Sequence, residues 1–428
     1  MPDGLGCIFQ ARNGCLMVDQ AVVLCGGRGE RLRPYTDSLP KTMVEVAGRP
    51  FLASLIEQLG EQGLKRFVLC TGYLGDRISE YFGDGSGVGT EITYSKGPGS
   101  WSTGRRLFEA RAMLDERFVL MYSDNFAMFQ LANLLDQHLR SEATITLSTV
   151  RKNGGNVAMG DGHVVYSRDR SEECAHVEVG YMIVERDRVL AAMDLLVDAP
   201  DVDFADVLVS LSDSRSLGAV QIHGGYQSIS DPDRLELSRE FLSPKRILLI
   251  DRDGTINEKP PQGEYITRWE DFKLIDESVN AMAQLAEKGF QFVVITNQAG
   301  VARGLVDQSE LDRIHVRMVK ALAEKGVGVA GVFVSPHHWN ESSYDRKPNP
   351  GLFLKASKEL GFRLDRVLYV GDDIRDCQAA ANAGCGMVYV SPNGETEELP
   401  VSTMPQWTVE SLGEAVSTIS SFYGKFER

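Results

Sequence analysis

The sequence predicts an α/β protein of two domains, each built on a mostly parallel sheet flanked by helices. Three observations carry this. Short β-branched runs alternate with amphipathic helical stretches, the pattern of βαβ units. That series runs once from Gln20 and starts afresh at Arg246, just after Leu242-Ser243-Pro244. In both series polar, glycine-bearing motifs directly follow apolar runs, where open α/β sheets bind ligands. The length of 428 residues fits two or three domains at about 150 residues each. The expected organisation is an extension over 1–17, a first domain over 18–242 and a second over 243–428.

In the first domain, 20–25 reads as a buried strand and 51–63 as a helix. Strands follow at 66–71 and 118–122, the latter ending on Ser123-Asp124-Asn125. In the second domain, strands are expected at 246–251, 292–296, 329–334 and 367–371. A helix spans 277–288 between the first two, with Gly289 as its stop.

Composition excludes several classes. Hydrophobic residues are 43% and charged residues 25%, so the chain can bury a core without a disulfide or metal staple. Lys and Arg total 45 against 60 Asp and Glu, a net charge of −15. That argues against a sequence-independent nucleic-acid binder but allows a local basic pocket for a phosphorylated ligand. No apolar run approaches the roughly 18 residues of a membrane span, so no membrane partner is expected. Residues 1–17 lack a signal peptide's basic start and long apolar stretch; 1–16 match neither series, and Met17 is a candidate start. Seven scattered cysteines with no C-x-x-C pair fit reduced thiols in a cytoplasmic chain, Cys377 and Cys385 among them as inert core thiols. An oligomer is compatible with all of this.

The first strand runs into Leu24-Cys-Gly26-Gly27-Arg28-Gly29-Glu-Arg31-Leu32-Arg33-Pro34, then Leu39-Pro40-Lys41. Glycines let backbone approach a triphosphate, and their N–H groups can form an anion nest. Arg31 and Lys41 add positive charge where a pyrophosphate leaving group would develop negative charge. Glycine motifs of this length also occur as plain strand-to-helix turns. The loop is neither a Walker A nor a dinucleotide fingerprint, because no Gly-Lys-Ser/Thr follows and the glycine spacing differs.

The whole string resembles the sugar-nucleotide pyrophosphorylase superfamily, whose opening pattern is matched through Pro34, Thr36, Pro40 and Lys41. Further matches cover about 220 residues: Gly72-Tyr-Leu-Gly-Asp76, Ser100-Trp-Ser-Thr103-Gly104, Ser123-Asp124 and Glu178-Val-Gly180-Tyr181. The resemblance implies attack of a sugar 1-phosphate on the α-phosphorus of an NTP, with pyrophosphate leaving. It assigns Arg31 and Lys41 to the phosphates and Asp124 to Mg²⁺. Leu24, Gly26, Gly27 and Gly29 face the nucleotide, Thr103 and Gly104 lie near base and sugar, and Glu178 and Gly180 bind sugar. One departure stands out: Ser228 occupies the place of a second metal aspartate, with Asp231 as candidate replacement.

In the second domain, Asp251-Arg-Asp253-Gly254-Thr255 follows the first strand, Thr296-Asn297-Gln298 the second and Gly371-Asp372-Asp373 with Asp376 the fourth. Arg346-Lys347-Pro348 precedes a helix. Two carboxylates at i and i+2 can divide nucleophilic attack and proton transfer; alone, they are as well read as an Asp-Gly turn. The four-part order resembles the haloacid dehalogenase-like phosphatases, and within them the heptose 1,7-bisphosphate and histidinol-phosphate phosphatases. That implies Asp251 as nucleophile, Asp253 as general acid/base, and Thr296, Asn297 and Lys347 at the phosphate. Gln298, Arg303 and Arg346 are candidates for the rest of the substrate, and Asp251, Asp253, Asp372 and Asp373 for Mg²⁺, with Asp376 in support. Only 44 residues separate Asp251 from Thr296, too few for a large cap.

Ser335, Ser343 and Asp345 stand where many relatives carry zinc-binding cysteines, so no zinc is expected. His315, Met318, Trp101 and Trp269 read as packing residues. Joined in one chain, the two activities imply consecutive steps. The 7-phosphate of a heptose 1,7-bisphosphate is removed, and the heptose 1-phosphate then takes NMP from an NTP, GTP favoured because no H-x-G-H adenylyltransferase motif occurs. Open alternatives are another phosphosugar, histidinol phosphate, or a first domain that binds nucleotide without catalysis.

Overall fold

The structure is a computed structural model that describes residues 18–160, 163–196, 201–391 and 400–426. The expected extension over 1–17 lies outside the described residues. The chain divides into two compact units, Met1–Glu240 and Phe241–Arg428.

The first unit is built on a nine-stranded mixed sheet. Its motif-bearing half is parallel, in the order Arg117–Tyr122, Gln20–Cys25, Arg66–Thr71, Glu91–Lys96. Gln20–Cys25 is buried along its whole length, as a central strand covered on both faces must be. The other half is organised by His176–Glu185, antiparallel to Arg117–Tyr122, to Ile145–Arg151 and to Gly155–Gly160. Leu217–Gln221 pairs parallel with Ile145–Arg151, and His163–Ser171 pairs antiparallel with Gly155–Gly160. The helix Phe51–Glu61 forms where the 51–63 pattern expects it. A core of Val22, Leu24, Val68, Leu120, Met182 and Val184 packs against Phe204, Leu208 and Leu211 of the helix Phe204–Asp213.

The second unit holds a six-stranded, all-parallel sheet. The order is Val329–Ser335, Gln291–Asn297, Ile247–Ile250, Leu368–Gly371, Gly386–Val390, Trp407–Val409. Ile247–Ile250 is fully buried, and the strand order reverses on either side of it. That switch point opens a crevice at the carboxyl ends of the strands. The helix Asp276–Glu287 matches the 277–288 pattern, and Trp269 stacks on Phe272 with centroids 5.1 Å apart. Cys377 and Cys385 are buried free thiols, and burial pushes the Cys377 thiol up to about 12. No helix among the described residues is long and apolar enough to cross a membrane.

Tyr423, on the helix Leu412–Gly424, ties this helix to two neighbouring strands. Its hydroxyl donates to the Ile247 carbonyl and accepts from the Leu368 N–H at 3.0 Å. Tyr423→Phe leaves the buried Leu368 N–H without that partner. Urea unfolding is expected to show a loss of about 1–3 kcal/mol with an unchanged m-value.

Candidate active sites

At the head of the Gln20–Cys25 strand, a cleft of about 520 Å³ is lined by Leu24, Gly26, Gly27, Gly29, Arg31, Lys41, Thr103 and Asp124. The glycine loop is shaped from beneath by Arg106, a buried side chain on the helix Thr103–Glu109. Its guanidinium donates to the carbonyls of Thr71 at 2.8 Å, Pro98 at 2.8 Å and Gly26 at 3.2 Å. A Cβ at Gly26 would lie 2.2 Å from Arg106 Cζ, so only glycine lets the loop close over this cation. Arg106 is the side chain that sequence reading missed here; an Arg on an amphipathic helix gives no signal of burial.

Lys41 Nζ stands 2.7 Å from Asp124 Oδ2, pairing the two sequence-predicted residues of opposite charge in the cleft. Arg31 is exposed on the rim. Thr103 is already engaged: its hydroxyl donates to Asp203 at 2.7 Å and accepts from Phe204 N–H at 2.8 Å. Gly104 packs against Val202, its N–H bonded to the Val202 carbonyl at 3.1 Å. Trp101, read as packing, lines the cleft beneath Arg105 at 5.3 Å.

Ser228 ends a short strand whose register sets it opposite Asn125, beside Asp124. Asp231, the candidate replacement, is engaged by its own neighbours. Its carboxylate accepts from Arg234 N–H and from Ser230 Oγ, both at 3.0 Å, and these bonds, the first foremost, hold it below its ordinary range. A carboxylate used this way caps the helix Pro232–Leu242.

Glu178 and Gly180 sit at a register shift in the long strand, with Gly180 at φ +91°. There the Gly180 N–H turns back onto the Glu178 carboxylate. Burial, opposed by that N–H and aided by Asp124, pushes Glu178 up to about 8.

In the second unit the predicted residues converge at the ends of adjacent strands. Asp251 follows Ile247–Ile250 and is anchored by its N–H on the Val370 carbonyl at 2.8 Å. Lys347 is 4% exposed and lies 2.8 Å from Asp251 Oδ1 and 2.7 Å from Asp376 Oδ1. It also reaches Tyr369 Oη at 2.8 Å and the Ile295 carbonyl at 3.2 Å. Asn297 fixes its backbone through two reciprocal bonds of 3.1 Å. Burial raises Asp251, opposed by Lys347 and reinforced by Asp376 and Asp372. The two carboxylates outweigh burial at Lys347 and keep it charged.

Asp251, Asp372 and Asp376 bring ligand oxygens within 4.8 Å of one another, and Asp372 Oδ1 is buried without a hydrogen-bond partner. This all-carboxylate set, with one orphaned oxygen, fits a hard divalent cation such as Mg²⁺. A Cβ at Gly254 would sit 2.2 Å from Asp372 Oδ2, so the motif glycine keeps the loop against that carboxylate.

Two of the four expected metal carboxylates, Asp253 and Asp373, are engaged by protein donors. Asp373 caps the helix Ile374–Ala383, accepting from Arg375 N–H at 3.0 Å and pairing with its guanidinium at 2.7 Å. Asp376, three residues on, takes its place in the cluster. The Asp253 carboxylate is held by Arg252, by Asn257 at 2.9 Å and by Gln298 at 2.7 Å. Although burial opposes them, Arg252 foremost and then these amides hold its carboxyl below the ordinary range.

Thr296 is buried and its hydroxyl accepts from Gln298 at 2.9 Å. Arg346 donates to the His337 carbonyl at 3.1 Å. Arg303 reaches the Gly263 carbonyl at 3.2 Å and lies 5.5 Å and 5.6 Å from the Tyr265 and Trp339 rings. Lys259, which no motif marked, approaches Asp372 Oδ2 at 2.7 Å.

Residues 20–157 match the nucleotidyl transferase family, and residues 204–384 match the haloacid dehalogenase-like hydrolases. The second match begins inside the first unit. A curated relative from Yersinia pestis, D-glycero-beta-D-manno-heptose-1,7-bisphosphate 7-phosphatase, is 32% identical over 183 residues, covering 96% of that protein and 41% of this chain. Its Bordetella bronchiseptica counterpart is 33% identical over 163 residues, or 90% of its length and 38% of this chain. The second unit belongs to this phosphatase family.

Among solved structures, the D,D-heptose 1,7-bisphosphate phosphatase of B. bronchiseptica, complexed with magnesium and phosphate, is 30% identical. It aligns over 98% of its chain and 41% of this one, with a TM-score of 0.37. HddC from Yersinia pseudotuberculosis, complexed with GMP-PN, is 20% identical over 99% of its chain and 52% of this one, with a TM-score of 0.44. The chain thus joins a segment that matches the nucleotidyl transferase family to a unit of the heptose bisphosphate phosphatase family.

Glu178 generates a prediction with a definite sign. Its folded pKa of about 8 exceeds the ordinary 4.5, so between those values the unfolded chain holds fewer protons. The carboxyl's contribution to stability is full below pH 4.5 and lost as pH rises through about 8. Glu178→Gln removes that slope. Urea unfolding is expected to find the variant about 2 kcal/mol more stable than wild type at alkaline pH, the gap closing in acid.

Proposed function

We propose that the chain is a bifunctional cytoplasmic enzyme of nucleotide-activated heptose synthesis. It removes the 7-phosphate of D-glycero-D-manno-heptose 1,7-bisphosphate and transfers GMP from GTP to the heptose 1-phosphate, releasing pyrophosphate. The observation that carries this reading is the set Asp251, Lys347 and Asp372 at one strand switch point, in a unit whose relatives are heptose bisphosphate phosphatases.

In the phosphatase step, Asp251 attacks phosphorus to form an aspartyl-phosphate, and Asp253 protonates the departing sugar oxygen. Lys347 and the Thr296 hydroxyl hold the phosphoryl oxygens, while Gln298, Arg303 and Arg346 meet the sugar and its remaining phosphate. Asp251, Asp372 and Asp376 would hold Mg²⁺, which when bound offsets the charge repelling a phosphate from three carboxylates. Histidinol phosphate is the competing substrate.

In the transferase step, the 26–29 backbone, Arg31 and Lys41 bind the triphosphate and stabilise the pyrophosphate leaving group. Glu178 and Gly180 meet the sugar. Mg²⁺ is commonly held by one or two carboxylates plus substrate phosphates, and Asp124 supplies such a carboxylate here. Ser228 beside it lowers the count of protein ligands without removing the last one.

Phosphorus NMR with Mg²⁺, either anomer of the bisphosphate and each NTP in turn tests both steps. The expected outcome is loss of the 7-phosphate signal, then pyrophosphate and an NDP-heptose with GTP. Phosphate release alone, with GTP binding by calorimetry, would make the first unit a nucleotide-binding module. Asp251→Asn should abolish phosphate release, by about 10³-fold or more, and leave transfer to preformed heptose 1-phosphate intact. Lys41→Ala should lower transfer about 10²-fold with the phosphatase unchanged.

A further inference from the structure

Beneath the phosphatase crevice lies a buried arginine–histidine pair that the chemistry above does not use. Arg252, between the two motif aspartates, has a relative exposure of 0%. Its Nη2 donates to both Asp253 oxygens, at 2.9 Å and 2.8 Å, and its Nε to Oδ1 at 3.1 Å. The remaining arm, Nη1, donates to His315 Nε2 at 2.9 Å. The Phe272 ring lies 5.8 Å from the guanidinium. His315 comes from the helix Gln308–Ala323, outside every motif, and is itself buried.

To accept at Nε2, the imidazole must be neutral and carry its proton on Nδ1. Burial and the Arg252 charge push its pKa down to about 4, which keeps it an acceptor at neutral pH. The guanidinium fork is therefore fixed at both ends, by a carboxylate on one side and a ring nitrogen on the other. An apolar side chain would fill this space without taking a charge out of water. What it could not do is fix the direction of the Asp253 carboxyl.

That direction matters because proton transfer requires the carboxyl at hydrogen-bond reach of one oxygen. We propose that Arg252, itself oriented by His315, is the positioning residue that aims the Asp253 carboxyl for proton delivery. The inference rests on the phosphatase reading above. The Asp253 carboxyl is ionised in the free site and first takes a proton from the bound phosphate monoanion; when the Asp251–phosphorus bond forms and the bond from phosphorus to the sugar oxygen breaks, that proton goes to the sugar oxygen. When water then attacks the aspartyl-phosphate, its proton returns to Asp253 and inorganic phosphate leaves. One water is consumed per turnover.

Loss of aim should therefore slow formation of the aspartyl-phosphate only where the leaving group needs a proton, whereas the water step that follows is common to every ester. The test compares the first-turnover rate of leaving-group release, which excludes the later water step, for the heptose bisphosphate and phenyl phosphate, both poor leaving groups, and for p-nitrophenyl phosphate, which departs unassisted. In His315→Leu, this first-turnover rate should fall about 30-fold or more on the poor leaving groups, and on p-nitrophenyl phosphate by less than about 3-fold. His315→Gln, which restores an acceptor for Nη1, should recover most of the loss. Arg252→Lys, which keeps the charge without the fork, should show the same selective defect.

Equal losses on all three esters, or wild-type behaviour in His315→Leu, would overturn the inference and leave the pair a packing feature. If His315→Leu does not unfold cooperatively, His315→Gln and Arg252→Lys decide by the same ratio. A wild-type chain that hydrolyses none of the esters, or an Asp251→Asn variant that keeps the wild-type rate, would instead sink the phosphatase reading, and this inference with it.

Discussion

Each unit is organised by a buried cation that stitches together the carboxyl ends of three adjacent parallel strands. In the first, Arg106 binds carbonyls at Gly26, Thr71 and Pro98, just past or at the ends of three neighbouring strands. In the second, Lys347 binds Asp251, the Ile295 carbonyl and Tyr369, again from three neighbouring strands. Parallel strands end in loops with unpaired carbonyls, and a crevice there has no regular secondary structure to satisfy them. A cation with several donors closes that deficit at one point. It also offsets the partial negative charge of the converging carbonyls. The two cations differ in kind because their tasks differ. Arg106 meets three neutral carbonyls in a fixed fork, while Lys347 is a compact charge between two carboxylates.

The convergence of motif residues could be read from sequence because they sit at the last position of a strand or immediately after it, where one residue's displacement would move them out of the crevice. Asp251, Asn297 and Asp372 are of this kind, as are Gly26 and Gly27. Residues acting from helices were not legible. Arg106 and His315 need the tertiary fold to bring them to a loop, and a polar residue in an amphipathic pattern reads as surface. The exchange of Asp373 for Asp376 has a local cause. Both lie in the first turn of one helix, and a capping box spends the Asp373 carboxylate on helix N–H groups. One oxygen of Asp376 completes that box at 3.1 Å, and the other turns into the site. Sequence spacing cannot tell which of two acids caps and which projects.

The mixed half of the first sheet was missed for a related reason. His176–Glu185 pairs with three different strands and contains the irregularity at Glu178–Gly180, so its apolar alternation breaks mid-strand. The same irregularity gives Glu178 its setting. A strand of regular pleat would send alternate side chains to opposite faces and would not fold a carboxylate back onto its own backbone. The structural cause of the illegible pattern thus also sets the Gly180 N–H against the Glu178 carboxylate, a contact that opposes the upward push of burial.

The loop after Val329–Ser335 makes the same point by subtraction. Many relatives hold this segment with cysteines, and this chain has Ser335, Ser343 and Asp345 instead. Its closure is local and neutral for the most part. Ser343 O accepts from Asn349 Nδ2 at 2.9 Å, Asp345 N–H donates to Ser343 Oγ at 3.3 Å, and Gly351 N–H to the Tyr344 carbonyl at 3.0 Å. His337 pairs with Glu341 at 3.0 Å on the exposed side. At the base, Gln298 N–H donates to the Ser335 carbonyl at 2.7 Å, and Arg346 to the His337 carbonyl. These bonds are individually weak in exposed settings, but they share residues with the crevice: Gln298 also holds Asp253, and Arg346 adjoins Lys347. The loop is therefore braced against residues that also line the crevice.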